Sequence, residues 1–406
     1  MKKRKIAIIG AGASGLYLSL LLKQQGEDVT LFERNARIGK KILTTGNGRC
    51  NLTNANLTGK DYNHPAFVED LLKIYSVKET LSFFKTIGIE TAKEENGKIF
   101  PLSFQASSVV NAFLSELDRH EIKCITNTYV KQIEKKDNHF IIKDLNNHHY
   151  QFDIVVLSTG GLAFPQTGSD GFGYQLVKPF GHHTTALRPS LVKLTLNSPY
   201  LKHLDGLKLN TTVELIVNNQ VVQSETGDIL FTSYGVSGPT ILQMSKYALI
   251  ALEDKKQPFI NIKIVTTLSK EALLDRFYLL SHKTIEDSLS GIIPSRLIQP
   301  LVKDNGLDLH QEVSTLTYEE LSKLTDYLLN WKWKVTGSLD YQEAQVTSGG
   351  IDLSEVSSKT LESKIVDGLY FTGEILDIDG RSGGFNLQWA WSSAGVVAKA
   401  IGERHD

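Results

Sequence analysis

The chain has 406 residues, 41% apolar and 22% charged, with 44 basic and 45 acidic side chains and a net charge of −1. That length predicts two or three domains with ample core. The charge balance gives neither a nucleic-acid-binding surface nor an acidic tail, and two cysteines, Cys50 and Cys124, are too few for a disulfide framework or a cysteine-based metal site.

The cysteine usage predicts a cytoplasmic home. The start, MKKRK followed by IAIIGAGASGLYLSLLL, has the basic and apolar blocks of a secretory signal. The glycine spacing inside that block argues for something else. No other segment approaches the roughly 20 apolar residues needed to cross a bilayer, so no membrane contact is expected.

Ile6 to Ile9 reads as a short apolar strand, followed by Gly10-x-Gly12-x-x-Gly15, a helix to about Gln25, and a second strand from Val29 to Phe32 that ends at Glu33. Each piece has a mechanical task in a βαβ dinucleotide fold. Gly10 makes the tight turn, Gly12 lets the backbone approach a pyrophosphate, and Gly15 permits close helix–strand packing. The pyrophosphate would sit on the helix N-terminus, beside Ala13 and Ser14. Glu33 is spaced to accept hydrogen bonds from a ribose hydroxyl. Its carboxylate would repel a 2′-phosphate, which selects FAD or NAD over NADP.

The stretch RIGKKILTTGNGRCNLTN (37–54) follows at once and lacks helical or strand periodicity. It gathers Lys40, Lys41, Gly46, Gly48, Arg49, Cys50 and Asn51, with Asn47 and Asn54. A solvated loop explains its polarity but not its density of glycine and amide side chains. Backbone in such a loop needs partners, and a wrapped polar ligand supplies them.

Residues 66–88 and 107–120 predict amphipathic helices, and 122–158 successive strands with turns at Lys136-Asp137-Asn138 and NNHH. DIVVLSTGG (153–161) is a buried strand leaving through Thr159-Gly160-Gly161. After LRPSLVKL the pattern becomes β-rich, with a hairpin turn at Asn218-Asn219. Gly238-Pro239 opens a helix to about Leu252. From Ser269 to about Trp331 the pattern is helical, and WKWKVTGSL and YQEAQVTSGGI return as strands. DGLYFTGEILDIDG (367–380) is a further strand, ending in Gly373-Glu374. Ligands of open α/β sheets lie beyond the carboxyl ends of the strands, so these remote strand ends can converge on one elongated ligand. Glu374 would bind hydroxyls of a ribityl chain. The last helix follows Gly383-Gly384, with Asn386 in its first turn.

GAGASG, GKKILTTGNGRCNLTN, LSTGG with TGSDGFGY, FTSYGVSGPTILQMS, QVTSGGI and GLYFTGEILDIDGRSGGFNLQWAWSSAG together span nearly the whole chain. The combination resembles the flavoprotein family that contains bacterial aminoacetone oxidase. The resemblance implies an α/β fold: a Rossmann-like, glutathione-reductase-type FAD-binding domain (1–190 and 340–406), a β-rich inserted domain that roofs the flavin (191–266 and 332–339) and a small helical third domain (267–331). It implies FAD as cofactor, with Arg34 added to the residues above. It also puts the last helix start, Gly384, Phe385, Asn386, Leu387 and Gln388, at the pyrimidine edge of the isoalloxazine, and Arg381 in the substrate cavity.

The implied activity is oxidation of a small primary amine, aminoacetone or an L-amino acid, with O2 reoxidising the flavin and giving hydrogen peroxide and ammonia. No dedicated acid or base is required, and none is assigned. No second GxGxxG is present for a nicotinamide, and the histidines, in pairs such as His148-His149 and His182-His183, have no metal-ligand spacing. The alternatives are an NAD(P)H-dependent flavin reductase of unsaturated compounds and, in another class, an RNA-modification module, against which the neutral charge weighs. Oligomeric state is not readable.

Overall fold

In the computed structural model, which describes residues 3–404, β1 spans Lys5–Ile9, α1 spans Ala13–Gln24 and β2 spans Asp28–Phe32. Met1 and Lys2, the first residues of the signal-like start, lie outside the described residues. β1 is the centre of a five-stranded parallel sheet in the order Leu369–Phe371, Ile154–Leu157, β1, β2, Lys123–Ile125. Ile6 to Ile9 pair with Ile154 to Leu157 on one side and with Val29 to Phe32 on the other. These strands are apolar without alternation because both faces of a parallel sheet are covered.

The C-terminal helix, Phe385–Glu403, lies against α1. Trp389 and Trp391 are buried in it, and the Trp391 ring sits 5.3 Å from that of Tyr17 in α1. The helix expected over 66–88 is two helices, Pro65–Ile74 and Val77–Thr86. Ser76 breaks it by starting a capping box with Glu79. Val130–Lys136, His139–Asp144 and His149–Phe152 form an antiparallel ribbon.

By internal packing the chain divides into two compact units, Met1–Pro189 with Ala344–Asp406, and Ser190–Glu343. The second contains a closed six-stranded barrel, from Leu194–Leu196 round to Trp331–Ser338. Its long hairpin turns at Asn218 and Asn219, both left-handed (φ 51° and 61°), the conformation a two-residue turn demands. The four helices Lys270–Leu279, Ile285–Leu289, Ser295–Asp304 and Tyr318–Leu329 do not form a separate third unit. Phe277, Leu301 and Leu324 share one continuous core with Leu215, Ile260 and Trp333 of the barrel. Each short helix has one apolar stripe, and the barrel supplies the surface that covers it. Among the described residues no helix is long and apolar enough to cross a membrane.

Candidate functional site

The first unit carries the site. Gly10 turns at φ +105°, and a Cβ there would stand 2.5 Å from the Ser158 carbonyl oxygen. A Cβ on Gly15 would collide with the Gly10 carbonyl oxygen, so these two glycines are required by packing. Gly12 differs: a Cβ there would meet nothing within 4 Å. Gly12 is also the N-cap of α1, which has no side-chain cap and no acidic residue in its first turn. The N–H groups of Ala13, Ser14 and Gly15 are the orphan donors of this helix start, with open space beside Gly12, the arrangement that binds a phosphate.

Glu33 is buried at the end of β2. It accepts hydrogen bonds from Ala11 N (3.1 Å) and from Asn35 N and Nδ2 (both 2.8 Å), which fix its carboxylate. Arg34 is paired with Asp170 and stacked over Tyr129 at 4.8 Å. Lys40 donates to Asn35 Oδ1 at 3.3 Å. Lys41 Nζ reaches Glu374 Oε2 at 2.6 Å, while Thr347 N donates to Glu374 Oε1 at 2.7 Å. The carboxylate expected to meet ribityl hydroxyls is thus also the joint between two other segments.

The remote glycine turns meet one another. Gly160 (φ +73°) lies beside Glu374, since its Cβ would be 3.9 Å from Oε2, and Gly373 stands against Ser14 Oγ of α1. Gly161 packs on Thr347, whose Oγ1 accepts from Leu162 N and Ala163 N. Thr159 packs against Gly173 at the start of the helix Phe172–Val177. Gly384 (φ +100°) approaches the 45–54 segment so closely that a Cβ would be 2.5 Å from the Thr53 carbonyl oxygen.

The 37–54 segment holds more regular structure than its sequence suggests. Lys40–Thr44 is one helical turn and a half, too short to show periodicity, and Thr53–Asn54 pairs with the strand Lys98–Pro101. Gly46, Asn47, Gly48 and Cys50 are all left-handed. A Cβ on Gly48, as on Gly12, would meet nothing. Cys50 is fully buried and its thiol is pushed up to about 12 by burial, which makes it a packing residue without nucleophilic character. Arg49 is 3.2 Å from Glu94 and lies 4.5 Å over the Phe100 ring.

At the C-terminal helix the expected residues separate. Asn386 spends its amide on the preceding loop, accepting from Gly380 N at 2.8 Å and donating to the Gly380 and Arg381 carbonyls. Gln388 donates through Nε2 to Thr80 Oγ1 and Ser392 Oγ, and its buried Oε1 has no partner. Phe385 is buried, with its carbonyl bonded by Tyr62 Oη at 2.8 Å, and Leu387 is half-buried. Arg381 is exposed and its backbone N donates to Asp61 O. The helix has no side-chain cap and no acidic first turn. Beside it Asn51 is 8% exposed, its Oδ1 is unpartnered, and that oxygen stands 2.9 Å from where a Gly384 Cβ would be.

These groups fit a flavin. The isoalloxazine edge presents one N–H donor between two carbonyl acceptors, and the site offers an orphaned buried acceptor beside free helix N–H donors. An unpaired buried acceptor costs about 1–3 kcal/mol, so it marks a place where a ligand donor belongs. Asn51→Ala is therefore expected to leave apoprotein stability within about 1 kcal/mol while weakening FAD binding roughly tenfold. Denaturant melts and flavin titration check the two halves.

Comparisons with known proteins give the family. A family model, the HI0933-like protein Rossmann domain, matches residues 4–400. The chain belongs to the HI0933-like family. Among its relatives, the 3-dehydro-bile acid delta(4,6)-reductase of Clostridium scindens is 33% identical over 98% of this chain and 99% of that protein. The ribosomal RNA dihydrouridine synthase of Haemophilus influenzae is 33% identical over 97% of each. The solved structure of 3-ketosteroid delta1-dehydrogenase from Sterolibacterium denitrificans shares the fold, with a TM-score of 0.53 at 10% identity over the whole of both chains. The resemblance drawn from the motifs thus holds at the level of an HI0933-like Rossmann oxidoreductase. Thr53 and Thr347 lie inside the family motifs but are not singled out there, and Lys98 lies in none; each is placed by a distant partner.

Proposed function

We propose that this HI0933-like protein is an FAD-dependent oxidoreductase that reduces a carbon–carbon double bond conjugated to a carbonyl in a small molecule. The observation that carries this reading is the pair of full-length relatives, whose names describe adding hydrogen across such bonds, in a bile acid and in a pyrimidine. FAD supplies a two-electron centre that accepts and donates hydride.

The chain's own residues then have defined tasks. The first turn of α1 takes the pyrophosphate, and Glu33 accepts from the adenosine ribose. Asn51 and the start of the C-terminal helix hold the ring edge, and the positive end of the helix dipole stabilises charge arriving there. The near-neutral chain, with 44 basic and 45 acidic side chains, gives no charge excess that favours a nucleic-acid substrate over a small molecule.

Oxidation of a small primary amine with O2, giving ammonia and hydrogen peroxide, is the second reading. It is favoured by the lack of a second glycine-rich strand–helix unit for a resident nicotinamide. Anaerobic mixing with NADH or NADPH, followed by a conjugated enone, separates the two. The proposal expects flavin bleaching by the nicotinamide and recovery of absorbance on adding the enone. Peroxide formed from aminoacetone, without bleaching by either nicotinamide, would replace it with the amine-oxidase reading.

A further inference from the structure

Lys98 opens the strand Lys98–Pro101 and stands opposite Asn54 in the antiparallel pair with Thr53–Asn54. That pairing carries it to the start of the C-terminal helix. Asn54 Nδ2 donates to the Gly383 carbonyl at 3.1 Å, and Lys98 Cε lies 3.7 Å from where a Gly383 Cβ would be. Lys98 as a residue is partly buried, and its ammonium is one bond beyond Cε. Among the described residues no carboxylate pairs with it. Glu94, across the same turn, is engaged by Arg49.

A lysine without an acid close to an uncapped helix start adds its positive charge to that of the helix dipole, an arrangement that is unfavourable until an anion joins it. The cost is relieved when negative charge arrives. Asn51 Oδ1, orphaned at the same helix start, independently marks this space as a ligand position. We propose that Lys98 is the cationic partner of the cofactor at this edge and raises the electron affinity of bound FAD. The proposal rests on the flavin reading above. Taking up two electrons and one proton leaves one net negative charge on the cofactor, and an ammonium held close by favours that state.

The test uses the holoprotein and reads the midpoint potential of bound FAD, with sulfite affinity as a second measure, because sulfite addition also loads negative charge onto the ring. Lys98→Met is expected to retain FAD, to shift the two-electron equilibrium about tenfold toward the oxidised form, which is ~30 mV, and to weaken sulfite binding by a similar factor. Lys98→Arg keeps the charge and should stay within about twofold of the parent. Should Lys98→Met load poorly, Lys98→Gln carries the same expectation. Parental potential and sulfite affinity in the charge-removed variants would overturn the role of Lys98 and leave the flavin reading standing. Failure of the unmodified protein to hold FAD would overturn the flavin reading and this inference with it.

Discussion

Gly12→Val is expected to fold like the parent and to lose FAD. The two effects separate because of where the missing side chain would go. Gly12 has φ −85°, ordinary for valine, and its Cβ would meet no protein atom within 4 Å. The folding cost is therefore limited to replacing a glycine N-cap by valine, about 0.5–1 kcal/mol, and the apoprotein melting midpoint should move by no more than about 4 °C. The side chain would instead occupy the open space at the first turn of α1, where the pyrophosphate must approach. Affinity for FAD should fall at least 100-fold, about 2.7 kcal/mol. Thermal melting and flavin fluorescence titration measure the two quantities. A variant that keeps its yellow colour through gel filtration would show that the α1 turn is not the phosphate site.

Gly384→Ala should do the reverse and damage the fold itself. Its backbone is left-handed at φ +100°, and an alanine Cβ would stand 2.5 Å from the Thr53 carbonyl oxygen. Neither strain can relax cheaply, because Thr53 is tied into its strand pair and the next helix residue, Phe385, is held by Tyr62 Oη. A loss of about 2–4 kcal/mol follows from the backbone strain together with the displaced contact. The denaturant midpoint should drop, with the slope unchanged. FAD affinity should fall as well, since moving the helix start moves its N–H groups away from Asn51. Parental stability would mean that the close approach of these two segments is wrong.

How much of this was legible in the sequence follows from the range of each interaction. The turn at Gly10, Gly12 and Gly15 and the acid at Glu33 were readable because strand, turn and helix are contiguous and each glycine answers a local constraint. The hairpin at Asn218-Asn219 was readable for the same reason. Closure of the barrel was not, since alternation announces a strand without naming its neighbour. Arg34 was read as a ligand residue from the family resemblance, and Arg49 from its place in the 37–54 segment. Their directions are set by Asp170 and Glu94, far along the chain. At Gln388 the helix is buried on nearly all sides, and the partners of its amide Nε2, Thr80 and Ser392, are not announced by the sequence. The helical stretch carried a clear period, but a period cannot say whether helices own a core or share one with the barrel.

The account depends on four separate glycine turns closing around one FAD, and equilibrium titration of the apoprotein with FAD tests that most directly. The expected result is saturable binding of one FAD per chain, with flavin fluorescence quenched and with FMN and NAD far weaker, because each lacks one of the two ends that the α1 turn and the Asn51 edge hold. Equal affinity for FMN, or no saturable binding of FAD, would contradict it.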